Sequence, residues 1–251
     1  MTIRVGHVSY LNHEPFYIDM KRRGIELHPV VPSKIADAIE NDDINAGPMP
    51  IADTFRMAES AQPVSGFCLA VTDRSGSSFL FSKEPISELK GVPIGVAPET
   101  GASKDLLRVI LALKYDIEPE AFVSMEDSPP AFLLTGNQAL RRRRGLREYP
   151  NKYDLGTEWR SWTGLPFVFA RWMRRNDMPG EDAALLEDTL YVGLEDGVDG
   201  LYHLSDPREN LLMLAKDILE YIQGVRYFIG FSEQKAIDLF RKYWEQAGGT
   251  A

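Results

Sequence analysis

Ser78-Phe79-Leu80-Phe81-Ser82 reads as a strand, Pro85 to Gly91 as a linker-like piece, and Val92-Pro93-Ile94-Gly95-Val96 as the start of a new strand, turn and helix. That helix runs from about Ala102 to Tyr115, with Leu106, Leu107, Ile110, Leu111 and Leu113 spaced for one buried face. The stretch decides the fold because a complete unit already precedes it. Ile3 to Val8 alternates as a strand, His28-Pro29-Val30-Val31 is a second, Ser33 stands as N-cap of a helix reaching Glu40, and Ile44 to Met49 returns to the sheet. Strand, helix and strand at roughly thirty-residue spacing signal a parallel sheet. The pattern then resets, so two α/β lobes are expected.

Phe122 to Met125 and Ala131 to Leu134 read as further short strands, and the apolar run Leu165 to Trp172 as a strand returning to the first lobe. Two helices, about Pro207 to Gln223 and Ser232 to Gln246, would complete that lobe. The expected bounds are 1–84 with 174–251 for lobe 1 and 85–173 for lobe 2. Two crossings, near 83–90 and 165–175, suit hinge closure over a ligand.

Composition removes several function classes. The chain has 251 residues, 44% of them hydrophobic, which suffices for a real core. A net charge of −9 argues against a nucleic-acid partner, whose phosphate backbone requires a basic surface. The one cysteine, Cys68, sits in an apolar stretch and reads as a buried thiol, so no disulfide framework or cysteine metal cluster is available within the chain. No run approaches the roughly 18 apolar residues of a membrane span, and Met1 leads straight into the first strand without a signal-peptide pattern. A cytoplasmic protein without a membrane partner is expected.

Five small polar turns end predicted strands: Ser9 to Asn12, Gly47-Pro48, Ser75 to Ser78, Thr100 to Ser103, and Thr135 to Gln138. In open α/β sheets such turns form the ligand crevice. At Thr100-Gly101-Ala102-Ser103, hydroxyls and N–H groups at a helix start suit an anion, either a carboxylate or a phosphate. The competing reading is that Thr100 or Ser103 merely caps the helix. Asn12 offers an amide to a ligand, yet asparagine in a turn equally serves its own backbone. Ser77 lacks the flanking glycines of a nucleophile elbow and has no nearby histidine base. His7, His13, His28 and His203 show no zinc spacing, and the glycines of Gly95 to Gly101 make no dinucleotide fingerprint, so neither metal nor cofactor is expected. The run Arg141 to Arg147 is a solvated basic face or an anion contact. Trp159, Trp162 and Trp172 are either core or cleft aromatics.

Several of these segments resemble the chorismate dehydratases of the futalosine route to menaquinone. The resemblance lies in Val5 to Asn12, Ile44 to Pro48, Ser77 to Lys83, Leu134 to Leu140, and the long segment from Tyr153 through Trp159, Trp162 and Thr163 to Ala170. It implies a two-lobed, type II periplasmic-binding-protein-like α/β fold with a ligand cleft between the lobes. It also implies a cytoplasmic lyase that converts chorismate to 3-[(1-carboxyvinyl)oxy]benzoate and water. By that resemblance Asn12 and Ser77 are the catalytic pair, with Ser9, Gly47, Ser78, Thr100, Gly101, Ala102, Ser103 and Asn137 around a small anionic substrate, chorismate or a related carboxylate. The family usually carries aspartate where this chain has Asn137, threonine-serine where it has Ala102-Ser103, and proline-valine where it has Arg74-Ser75. These departures leave open a non-catalytic cytoplasmic binder of a small aromatic carboxylate, with Arg74 pairing the ligand. A third reading is the related naphthoate-forming enzyme.

Overall fold

The computed structural model describes residues 2–202 and 206–250. In chain order its elements are β1 (Arg4–His7), β2 (Glu26–Pro29), α1 (Ile35–Glu40), β3 (Ala46–Pro50), α2 (Ile51–Arg56), β4 (Ala61–Val71), β5 (Ser78–Ser82), β6 (Ile94–Val96), α3 (Ala102–Val109) and β7 (Phe122–Val123). They continue with β8 (Ala131–Thr135), α4 (Gly136–Arg141), β9 (Asn151–Asp154), α5 (Leu155–Thr163), β10 (Phe167–Arg175), α6 (Gly180–Tyr202), α7 (Ala215–Gln223), β11 (Val225–Phe228) and α8 (Phe231–Gln246).

The strands form two sheets, one of six strands in the order β11-β4-β10-β3-β1-β2 and one of five in the order β7-β6-β8-β5-β9. Parallel pairing, as the βαβ spacing predicts, holds for β1 with β2 and β3, and for β6 with β7 and β8. The remaining pairs run antiparallel: β10 with β3 and β4, β11 with β4, and β5 with β8 and β9. Sheet membership differs from the expected bounds at 84/85 and 173/174. β5 belongs to the second sheet, and β10 to the first. The chain thus changes sheet between Val71 and Ser78, and returns between Asp154 and Phe167, where Phe167 pairs with Val71.

Local chemistry explains the element ends. Asp154 caps α5 by accepting a hydrogen bond from the Thr157 N–H, and the left-handed Gly164 ends the helix. Ser33 does not cap α1; its hydroxyl instead reaches the Pro98 carbonyl in the other lobe at 2.8 Å. The Ala102–Tyr115 helix forms as α3 followed by a wider π turn over Ile110–Lys114. The longest helix, α6, was not expected. Its 23 residues include Gly193, Gly197 and Gly200, and Gly197 lies so close to Pro15 that a Cβ would stand 2.6 Å from the proline Cα. The helix therefore owes its place to packing against the Leu11–Tyr17 turn rather than to propensity.

One core joins α3, α5 and α8 around Trp159, and another lies between the first sheet and α6 around Phe16, Phe67 and Trp172. Trp159 and Trp172 are fully buried and Trp162 stacks on Tyr243, which settles the tryptophans as packing residues. Cys68 is buried and free, and burial pushes its thiol up to about 12. The Trp172 ring lies 5.2 Å from that of Phe16, while its indole N–H is enclosed without a partner among the described residues. Trp172→Ala is expected to cost about 3–5 kcal/mol in urea denaturation. Trp172→Phe should cost less, because it keeps one aromatic ring in the site and removes the unpartnered N–H.

Candidate active site

The cleft between the two sheets takes a wall from each of the five polar turns. Tyr10, Asn12 and His13 come from the turn after β1, and Pro48 and Pro50 from β3. Ser77 and Ser78 come from the first crossing, Gly101, Ala102 and Ser103 from the start of α3, and Thr135 and Gly136 from the β8–α4 junction. Val71, Phe169 and Ala170, on the paired strands β4 and β10, also line it.

Ser77 is held from behind. The Tyr221 hydroxyl of α7 donates to Ser77 Oγ at 2.8 Å, and the only acceptor for the Ser77 hydroxyl itself among the described residues is the Ser75 carbonyl at 3.4 Å. Burial pushes the Tyr221 phenol well up; the Ser77 contact opposes this, and the Asp154 carboxylate adds to it. The phenol therefore stays protonated and donates. The crossing itself is fixed by Asp154, which accepts from the Ser75 N–H at 2.7 Å, the Gly76 N–H at 2.8 Å and the Ser75 hydroxyl at 3.0 Å. Neither Tyr221 nor Asp154 carries a local sequence signal for this role, since each reaches Ser75 to Ser77 across more than 70 positions of chain.

A ladder of hydroxyls runs up the second lobe. Ser78 Oγ donates to Ser103 Oγ at 2.9 Å, and Ser103 Oγ meets Thr135 Oγ1 at 3.3 Å. Gly101 is the N-cap of α3 and no side chain caps the helix, so the capping reading of Thr100 and Ser103 does not hold. In the first turn of α3 the Lys104 N–H bonds the Gly101 carbonyl at 3.0 Å, while Ala102 and Ser103, whose N–H groups precede it, line the cleft with this ladder.

Asn12 and His13 are 8% and 4% exposed, and neither side chain has a hydrogen-bond partner among the described residues. Burial, with a smaller contribution from His7, pulls His13 down to about 3, so it is neutral. His7 packs edge-on against Tyr17, His28 lies on β2, and His203 falls outside the described residues.

Four residues expected around the substrate, Ser9, Gly47, Thr100 and Asn137, are not part of the cleft lining. Ser9 is exposed, and Gly47 is buried in β3 under Ile35, where a Cβ would lie 3.3 Å from the isoleucine Cδ1. Thr100 is buried, with its hydroxyl enclosed and unpartnered. Asn137 spends its amide on the opposite lobe, donating to the Ser9 carbonyl at 2.8 Å and accepting from the Leu11 N–H at 3.2 Å. Arg74 pairs with Glu220, and the two line a neighbouring hollow with Arg143 and Asp217, which form a 2.7 Å ion pair. Arg141, Arg142, Arg144 and Arg147 are exposed.

Sequence and structural comparisons agree with this architecture. The signature of a family described as menaquinone biosynthesis matches residues 3–246. The chain belongs to that family. A curated relative, chorismate dehydratase of Thermus thermophilus, is 22% identical over 94% of this chain and 93% of its own length. A crystal structure of an Archaeoglobus fulgidus protein superposes with a TM-score of 0.73 at 15% identity, covering 98% of each chain. A Candida albicans protein, described as having the generic periplasmic binding protein structural fold, gives 0.60 at 13% identity, covering 100% of this chain and 91% of its own. The periplasmic aliphatic sulphonate binding protein of Escherichia coli gives 0.54 at 12%, covering 96% and 87%. This member of the family therefore has the periplasmic-binding-protein-like fold. Among the described residues no helix is long and apolar enough to cross a membrane.

Two predictions arise from the buried polar groups. The unfolded chain carries His13 near its ordinary 6.5, against about 3 in the folded protein, so between these values the unfolded state binds the extra proton. Stability should fall as pH drops from about 6.5 toward 3, by up to about 1.4 kcal/mol per pH unit from this group. Thermal melts of His13→Gln should show a shallower acid slope. Asn137→Asp keeps the acceptor for Leu11 but loses the donor to Ser9 and sets a carboxylate against that carbonyl. A loss of about 1–3 kcal/mol is expected in chemical denaturation.

Proposed function

We propose that this family member is a chorismate dehydratase, a hydro-lyase acting in the cytoplasm on the futalosine route, with Asn12 and Ser77 as its catalytic pair. The observation that carries the reading is that the buried, unpartnered Asn12 amide and the Ser77 hydroxyl held by Tyr221 line one cleft. The resemblance names the same two residues.

The chemistry fits groups that are not themselves bases. Loss of the ring C3 proton and the C4 hydroxyl of chorismate makes the ring aromatic and changes no oxidation state overall. In the proposed route the substrate's own enolpyruvyl carboxylate takes the C3 proton. The C4–O bond then breaks, and that proton leaves with the hydroxyl as water. Asn12 and Ser77 orient the substrate and stabilise developing charge through hydrogen bonds. The uncapped start of α3, with Ser78 and Ser103 beside it, receives the ring carboxylate. Gly101 and Ala102 supply close backbone there, since Gly101 packs against Pro32 and Pro50.

Incubation with chorismate, followed by liquid chromatography and mass spectrometry, should show 3-[(1-carboxyvinyl)oxy]benzoate above the no-enzyme background. Asn12→Ala and Ser77→Ala should each lower kcat by about 100-fold or more. Binding of an aromatic carboxylate without product would instead make the protein a non-catalytic binder.

A further inference from the structure

A neutral imidazole and a primary amide, adjacent in sequence and both without a hydrogen-bond partner among the described residues, form an unusual stretch of cleft wall. Buried polar side chains are nearly always hydrogen-bonded, and an enclosed group left unpaired destabilises the fold. Asn12 Oδ1 and His13 Nδ1 are enclosed and unpaired, while both residues line the cleft. Their neighbours do not supply the missing bonds. Tyr10 meets the His13 ring edge-on at 6.0 Å between centroids, and the nearby Tyr17 hydroxyl is committed to the Gly6 carbonyl and the Val8 N–H.

The chemistry of the pair selects its partner. An amide oxygen only accepts, so a carboxylate, which also only accepts, leaves it unsatisfied. A neutral imidazole has one donor and one acceptor nitrogen. A hydroxyl can donate to the amide oxygen, and it can either donate to or accept from a neutral imidazole. The carboxylate of the ligand has its own place at the start of α3 and the Ser78–Ser103 hydroxyls, on the other lobe.

We propose that His13 is a specificity-determining residue that, together with Asn12, selects a ligand carrying a hydroxyl group as well as its carboxylate. The inference rests on the cleft being a carboxylate site, and it adds the second recognised group and the residue that recognises it. His13 also sits beside the proposed catalytic asparagine, so the hydroxyl it selects is the one near the reacting centre.

Calorimetric titration with benzoate, 3-hydroxybenzoate and 4-hydroxybenzoate tests this without turnover. The wild-type protein should bind one of the hydroxylated acids about tenfold more tightly than benzoate, the worth of one well-placed neutral hydrogen bond. His13→Leu should bind benzoate at least as well as the wild type, which also shows that the variant folds, and should lose the hydroxyl preference to within about twofold. His13→Gln, which restores a donor and an acceptor, should recover much of it. A preference that survives in His13→Leu, or a wild-type protein that binds all three acids equally, overturns the role of His13 and leaves the carboxylate site standing. Failure of all three acids to bind overturns both.

Discussion

Val71 and Phe167 stand opposite one another in the antiparallel pair of β4 and β10, and this register holds the two points where the chain passes between sheets side by side. The first crossing carries Ser75, Gly76, Ser77 and Ser78; the second follows α5, whose cap residue Asp154 grips that same crossing through two backbone N–H groups and a hydroxyl. The pairing of two strands thus locates the serine turn, and with it one wall of the cleft. Without that register, Ser77 would be an ordinary loop serine.

The distribution of satisfied and unsatisfied polar groups separates scaffold from site. Asp154, Asn137 and Tyr221 are fully engaged in holding backbone or side chains in place. Asn12 and His13 are as well buried as their neighbours and hold nothing. The Trp172 N–H and the Thr100 hydroxyl are unpaired among the described residues as well but lie away from the cleft lining, so it is the combination of a missing partner and a place in the cleft wall that marks Asn12 and His13.

Contact between the lobes is distributed around the cleft. Gly136, with φ +56°, lies so close to Tyr10 that a Cβ would stand 2.6 Å from the ring, and only glycine gives both the left-handed backbone and the space. Asn137 reaches Ser9 and Leu11, Ser33 reaches Pro98, and Leu140 packs with Leu11, Leu211 and Met213. Asparagine at position 137 suits this use because it both donates and accepts.

Local pattern was enough to reveal the elements whose periodicity or turn chemistry is self-contained: β1, β3, β5, β6, β8, α3 and α8, the reset into a second unit, and the five turns that meet at the cleft. The family segments further pointed to Asn12 and Ser77. The sequence did not reveal α6, where Gly193, Gly197 and Gly200 weaken the helical signal and packing against Pro15 and Phe16 supplies the stability. Nor did it reveal that β5 pairs with β8 and β9, that Tyr221 supports Ser77, or that Asn137, Gly47 and Thr100 stand outside the cleft lining. Side-chain type and spacing determine which segments are strands, helices and polar turns. Which of those turns face one another, and which of their polar groups remain unpaired, depends on contacts between residues far apart in the chain, and only the tertiary structure decides it.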